Sequence, residues 1–240
     1  MRFKDPILRQ EALNRIKDEL VSLTTHDLAH PLTALRDLAD LLLNCPTDDA
    51  DLQSFLDLIR SESDGLAGLA DDLLLLSTLE QGRPLALAPV EIDEWLREVL
   101  VPFHHPPMSH RFQLLAAPGL PLLNVDPSLL QRAITHIVGN AVKYAPRKSA
   151  IRIYVHQVGE ALQIEIGDDG VGIPVDHIPN LGRPFYRVKC EETLGIPGTG
   201  LGLALVYRIV LAHQGQVTID SRVGEGTTVT VRLFGCVPRD

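Results

Sequence analysis

The segment THDLAHPL, Thr25–Leu32, sets His26, Asp27, His30 and Pro31 within six residues. Two chemistries fit such a set. Histidines four apart on a helix have the HxxxH spacing of a zinc site, but a catalytic zinc needs a third protein ligand and a water. The other clustered histidines, His104, His105 and His110, stand in FHHPPMSH, far along the chain in a loop-like stretch. The second chemistry is nucleophilic: it needs an exposed neutral imidazole and a group that takes or steadies its other proton. At about 100° per residue the two histidines differ by roughly 40° and lie roughly 160° to 200° from the stripe of Leu28, Leu32 and Leu35, so both face solvent. Pro31 adds a kink, since it has no N–H for the carbonyl four residues back.

A second constellation lies in the glycine-bearing runs DDGVGI (Asp168–Ile173), GTGLGLAL (Gly198–Leu205) and GEGTTV (Gly224–Val229). A GxGxG segment opening into an apolar helix can place backbone N–H groups and a helix N-terminus against phosphates, because glycine permits close approach and positive φ. DDGVGI follows the strand-like LQIEI and puts Asp168 before a turn. A carboxylate on a pocket floor there can accept from an exocyclic amine such as adenine offers. In QRAITHIVGNAVKYAP, Gln131–Pro146, a helix would bring His136, Asn140 and Lys143 to one face. An amide oxygen can coordinate Mg²⁺ and a lysine can meet phosphate, so that face suits a metal nucleotide. Each run alone reads as a turn or a polar face; their joint order points to a nucleotide site.

These residues need two kinds of support. From Glu11 to Glu80 the only glycines are Gly65 and Gly68, and apolar residues recur at three-and-four spacing: Leu13, Ile16, Leu20, Leu23, then Leu28, Leu32, Leu35, Ala39, Leu42. A second run carries Leu52, Phe55 or Leu56, Ile59, Leu66, Leu69 or Ala70, Leu73 and Leu76, after a turn at NCPTDDA. Two helices in a hairpin, with leucine on two sides, predict a dimeric four-helix bundle. Residues 1 to 20 read as a connecting helix at coiled-coil spacing. Gly82 and Pro84 mark a boundary, giving a helical domain over 1–83 and a second over 84–240. The second alternates strand-like runs at 111–115, 150–155, 162–166, 216–220 and 227–233 with helical runs at 92–100, 127–144 and 201–213, the pattern of an α/β sandwich.

At 240 residues the chain can bury two cores, and its formal charge of −9 speaks against a nucleic-acid partner, which needs a concentrated basic surface. No window reads as a membrane span, and MRFKDPILRQ lacks the apolar core of a signal peptide. Cys45, Cys190 and Cys236 form no CxxC pair, which fits a reducing, cytoplasmic compartment.

Taken in order, the boxes resemble the dimerisation and catalytic core of a sensor histidine kinase of two-component systems over residues 11 to 235. THDLAHPL resembles the phosphoacceptor box, NAVKY the N-box, DDGVGI the glycine loop after the adenine-binding aspartate, RPFYR the F-box and GTGLGLAL the phosphate loop. The resemblance implies an α+β chain: a helical hairpin forming a dimeric four-helix bundle, then an ATP-binding α/β sandwich of the kinase, gyrase and heat-shock chaperone type. It implies a phosphotransferase whose His26 takes a phosphoryl group from ATP through Nε2, with Asp27 as the acid beside it, and passes it to an aspartate of a response regulator receiver domain. It further implies Asn140 on Mg²⁺, Lys143 near the phosphates, Tyr144 lining the site and Asp168 on adenine. Gly170 and Gly172 would shape the first loop, and Gly198, Thr199, Gly200, Leu201 and Gly202 would grip the phosphates. Phe185 and Arg187 would belong to a lid from Ile178 to Pro197, with Arg187 reaching the γ-phosphate.

Two positions depart from the pattern. ATPases of the same fold activate water with a glutamate four residues before the metal-binding asparagine; here the position holds His136, which favours transfer over hydrolysis. His30 stands where members with phosphatase activity carry threonine or asparagine to orient a water. Beside the ATP boxes the zinc reading of HDLAH gives way to His26 as nucleophile. The alternative is a noncatalytic dimeric scaffold that keeps nucleotide binding for signalling.

Overall fold

The computed structural model describes residues 32–42, 49–104, 110–188, 190, 193, 196 and 198–238. His26, Asp27, His30, the connecting helix over 1–20 and His105 lie outside the described residues. The chain divides into two compact units at Leu73 and Leu74.

In the first unit residues 32–42 form helix α1, and α2 runs over Asp49–Glu80, crossing the division. The less exposed residues of α2 begin as Phe55, Ile59, Glu62, Leu66 and Leu69 at three-and-four spacing and widen over Asp72, Leu73, Leu75, Leu76 and Leu79 toward its end. Leu52, which continues the spacing, and Leu56 and Leu58 beside it are exposed. Gly82 stops the helix. At φ 78° it takes the left-handed conformation, its N–H meets the Leu79 carbonyl at 3.1 Å and the Arg83 N–H reaches back to Thr78 at 3.1 Å, the paired closure of a Schellman end.

The second unit opens with β1 (Ala88–Val90) and α3 (Ile92–Leu100), then a 3₁₀ turn at Val101–His104. It continues with β2 (Arg111–Ala116), β3 (Leu122–Val125), α4 (Pro127–Tyr144), β4 (Ala150–Val158) and β5 (Ala161–Asp168). A 3₁₀ helix at Val175–Asn180 precedes α5 (Gly202–Ala212), β6 (Gln216–Arg222), β7 (Gly226–Phe234) and β8 (Cys236–Val237). The main sheet has the order β2-β4-β5-β7-β6, parallel between β2 and β4 and antiparallel elsewhere. The expected strands and helices of this unit all form, most of them longer by a residue or more. A second small sheet, β1-β3-β8, is added to them.

Strand alternation explains the layering. Ile151, Ile153 and Val155 of β4, Leu162, Ile164 and Ile166 of β5, and Val229, Val231 and Leu233 of β7 are buried, and they share one face because side chains repeat every second residue. Helices α4 and α5 pack on the sheet and on each other, with α3 against α4. The opposite face is polar: Arg232 donates to Gln163 Oε1 at 2.9 Å across β5 and β7.

The end of α4 that faces away from the cavity described below is fixed by one buried acid. Asp126 caps α4 by accepting from the Leu129 N–H at 3.2 Å, with Pro127 in the first turn. Its other oxygen accepts from the Ala86 N–H at 3.0 Å. Its own N–H donates to His213 Nε2 at 2.9 Å, and His213 Nδ1 bonds the Ile209 carbonyl at 2.8 Å. With Nε2 accepting, the ring proton sits on Nδ1. The start of α4, the end of α5 and the segment leading into β1 therefore meet at one point, which sets the two helices that carry the site.

Candidate nucleotide-binding site

A cavity of ≈ 310 Å³ opens between α4, the end of β5 and the start of α5. On α4 its lining residues are His136, Ile137, Asn140, Ala141, Lys143 and Tyr144, one face of a helix by spacing. Ile166, Val171, Ile173, Ile219 and Val229 supply apolar wall, the lining that suits a flat base with a few polar groups fixing its orientation.

Asp168 ends β5 and enters this cavity. Its Oδ1 accepts from the Gly170 N–H at 2.8 Å. Burial raises its carboxyl to about 6, opposed by the backbone N–H groups of Gly170 and Thr227. Gly170 itself does not line the cavity; a Cβ there would lie 2.5 Å from Asp168 Oδ1 and 2.7 Å from the Tyr144 carbonyl, so glycine is what lets the turn nest against both. Gly172 does line it, at φ 71°, and a Cβ there would collide with the Arg222 carbonyl.

Lys143, Arg187, Gly198, Thr199, Gly200 and Gly202 give the same cavity a cationic and backbone-rich lining. Lys143 Nζ lies 5.8 Å from the Tyr144 ring centre. Burial, and then the neighbouring Arg187 guanidinium, lower its pKa; an arriving anion would relieve both effects. Arg187 donates from Nη2 to the Ile196 carbonyl at 2.6 Å. Helix α5 begins after Leu201 with no side chain capping its first turn, which leaves N–H groups and the positive end of the helix dipole for an anion. Among the described residues no cluster of three or more His, Cys, Asp or Glu side chains could hold a metal. The amide of Asn140 fits a Mg²⁺ that takes most of its ligands from phosphate and water, as that ion does in nucleotide sites.

Of the residues singled out by sequence, Asn140, Lys143, Tyr144, Asp168, Gly172, Arg187, Gly198, Thr199, Gly200 and Gly202 come together around this cavity. Gly170, Phe185 and Leu201 stand just behind it. Leu201 is fully buried in the core. Phe185 is buried at φ 63°, and its N–H donates to the Gly200 carbonyl at 3.0 Å, tying the RPFYR segment to the GTGLG run. Sequence reasoning passed over Tyr186, Val188 and Thr193, which also line the cavity; the place of Tyr186 within RPFYR was the available signal. His136, marked by its shared face with Asn140, lines the cavity, and its Nδ1 lies 3.0 Å from where a Cβ on Gly202 would be.

Comparison with known proteins agrees with this geometry. Residues 125–234 match the family described as "Histidine kinase-, DNA gyrase B-, and HSP90-like ATPase", and residues 9–82 match the "His Kinase A (phospho-acceptor) domain". The phosphate regulon sensor protein PhoR of Pseudomonas aeruginosa is 30% identical over 228 residues, 93% of this chain and 51% of that protein. The sensor histidine kinase WalK of Bacillus subtilis is 29% identical over 232 residues, 95% of this chain and 38% of that one. This chain thus spans about half, or less, of the length of these relatives. Among solved structures, that of histidine kinase ThkA in complex with response regulator protein TrrA aligns with a TM-score of 0.72 at 19% identity, over 94% of this chain and 64% of that one, a likeness of fold. With an ATPase-type module built around this cavity and a phospho-acceptor module before it, the chain carries the two domains that its relatives named sensor histidine kinases share with it.

Proposed function

We propose that this chain is an ATP-dependent protein histidine autokinase that phosphorylates His26 and hands the phosphoryl group to an aspartate of a response regulator receiver domain. The observation that carries the reading is the convergence of Asp168, Asn140, Lys143 and the Gly198–Gly202 backbone on one cavity. Asp168 accepts from the adenine amine, the apolar wall holds the base, and Lys143, Arg187 and the start of α5 take the phosphates. Mg²⁺, when bound, draws charge from the phosphates, and Asn140 is the side chain that would hold it. His26 Nε2 attacks the γ-phosphorus while Asp27 steadies the proton on Nδ1; an N–P bond forms, the P–O bond to ADP breaks, and ADP leaves with that electron pair.

The same reading takes the domains as 1–83 and 84–240 and the active form as a homodimer through the helical hairpin, which would cover Leu52, Leu56 and Leu58. A receiver domain as partner is supported by ThkA, a protein of this fold solved in complex with a response regulator. Among the described residues no helix is long and apolar enough to cross a membrane, and we place the module in the cytoplasm.

Incubation with γ-labelled ATP and Mg²⁺ tests the reading. The expected label is acid-labile, alkali-stable and absent from His26→Gln. Label that survives this change, or disappears only with His30→Gln, would assign the chemistry elsewhere. Nucleotide binding with no label at all would make the chain a signalling scaffold.

A further inference from the structure

Tyr186 follows the buried, left-handed Phe185 and precedes Arg187, and it lines the nucleotide cavity. Its hydroxyl is not left to solvent. It bonds His177 Nδ1 at 2.6 Å, with the two ring centres 6.1 Å apart at 41°. His177 belongs to the 3₁₀ helix Val175–Asn180, which packs against β6. That helix follows directly on the DDGVGI turn, whose Ile173 N–H donates to Ser221 Oγ of β6 at 2.8 Å. One end of the bond thus rests on the sheet frame that carries Asp168, and the other on the segment that carries Arg187.

We propose that Tyr186 is a nucleotide-binding residue and that His177 is its positioning residue, fixing the tyrosine ring as a wall of the cavity and so setting how long a nucleotide stays. The inference rests on the reading of the cavity as an ATP site. Two backbone contacts and one from a side chain restrict the stretch around Tyr186: the Phe185 N–H to Gly200, the Tyr186 N–H to the Arg183 carbonyl at 3.2 Å, and the Arg187 side chain to Ile196. None of them fixes the Tyr186 ring. Among the described residues, the hydrogen bond to His177 is the one that holds it. An aromatic face held by a partner loses little conformational freedom when a base packs on it, so its contribution appears as slow release.

The test measures dissociation of a fluorescent ATP analogue from the full chain by stopped flow, beside KM and kcat for autophosphorylation. Tyr186→Phe keeps the ring and loses the bond; His177→Ala loses it from the other side. Each is expected to speed release by about fivefold, the effect of one ordinary hydrogen bond, and to raise KM for ATP with kcat little changed. The double variant should be no faster than either single one, and His177→Asn, whose amide sits near the Nδ1 position, should restore slow release. A merely structural role for His177 would lower thermal stability without this pairing or this rescue. If the native protein binds the analogue but the single variants release it within about twofold of the native rate, or their effects multiply in the double variant, the positioning role is wrong and the ATP reading stands. If the native protein does not bind the analogue, both are wrong.

Discussion

A Cβ on Gly198 would lie 2.8 Å from Lys143 Nζ. A side chain at Gly198 and the α4 lysine would therefore share a space that only one of them can fill. Because the clash falls on the tip of a flexible side chain, Gly198→Ala should leave the fold nearly as stable as before, within about 0.5 kcal/mol. The displaced ammonium is the loss. Weaker nucleotide binding by about tenfold, with an unchanged melting temperature, is expected from titration calorimetry and thermal scans, and Lys143→Met should weaken binding similarly. An alanine variant of native affinity would remove Lys143 from the phosphate end.

The raised pKa of Asp168 gives the site a pH dependence with two opposite signs. Its carboxyl titrates at about 6 in the folded chain, against roughly 3.9 when unfolded. Between those values the native state holds a proton that the unfolded chain has lost, so stability is greatest below the window and declines as pH rises through it. Above it, the ionised carboxylate is present at a cost to the fold and, on the proposed reading, as the acceptor for the adenine amine. Asp168→Asn should therefore raise the melting temperature near pH 7 and change it little near pH 4. Nucleotide affinity of the native protein should fall as pH drops through about 6, with no such step in the asparagine variant. An affinity flat from about pH 5 to 8 would place adenine recognition on other groups.

Two glycines with the same backbone conformation should behave differently. Gly172 has φ 71° and Gly224 has φ 80°, so both favour glycine. A Cβ on Gly224 meets nothing within 4 Å, whereas on Gly172 it collides with the Arg222 carbonyl. Gly224→Ala should lose about 1 to 2 kcal/mol from the left-handed backbone alone. Gly172→Ala adds a clash that only a shift of the β6 end can relieve, and should lose about 3 kcal/mol or more. Urea unfolding of the two variants makes the comparison, and equal losses would mean the turn after β5 moves freely.

Much of this architecture was legible because it rests on periodicity. The α4 face reads from His136, Asn140 and Lys143 alone, and the main strands announce themselves through runs such as LQIEI. The small sheet does not: Ala88–Val90 contains a proline, and Cys236–Val237 is only two residues long. Neither is long enough to show alternation, and each exists because β3 offers it a partner. The same limit applies inside the site. Asp168 was found because a carboxylate before a glycine turn is a local pattern, whereas the bond from His177 to Tyr186 spans nine residues of loop and the meeting of Asp126 with His213 spans 87. Such pairings are set by tertiary packing, and no spacing rule anticipates them.

The exposed leucines of α2 carry the last prediction. Phe55, Ile59 and Leu66 belong to the less exposed stripe of α2, while Leu52 at its head and Leu56 beside it are 39% and 46% exposed. Single exposed apolar residues are ordinary on a protein surface, but two a helical turn apart make the start of a seam. If a second copy of the chain covers that seam, Leu56→Arg buries a charge in the interface without touching the less exposed stripe. The helix itself should survive, with circular dichroism unchanged and subunit stability within about 0.5 kcal/mol. The dimer should not: light scattering is expected to show a shift from twice the chain mass to once, with an apparent dissociation constant raised by about a hundredfold or more. A native protein already monomeric, or an arginine variant as dimeric as the native one, would move the dimer interface off this face of α2.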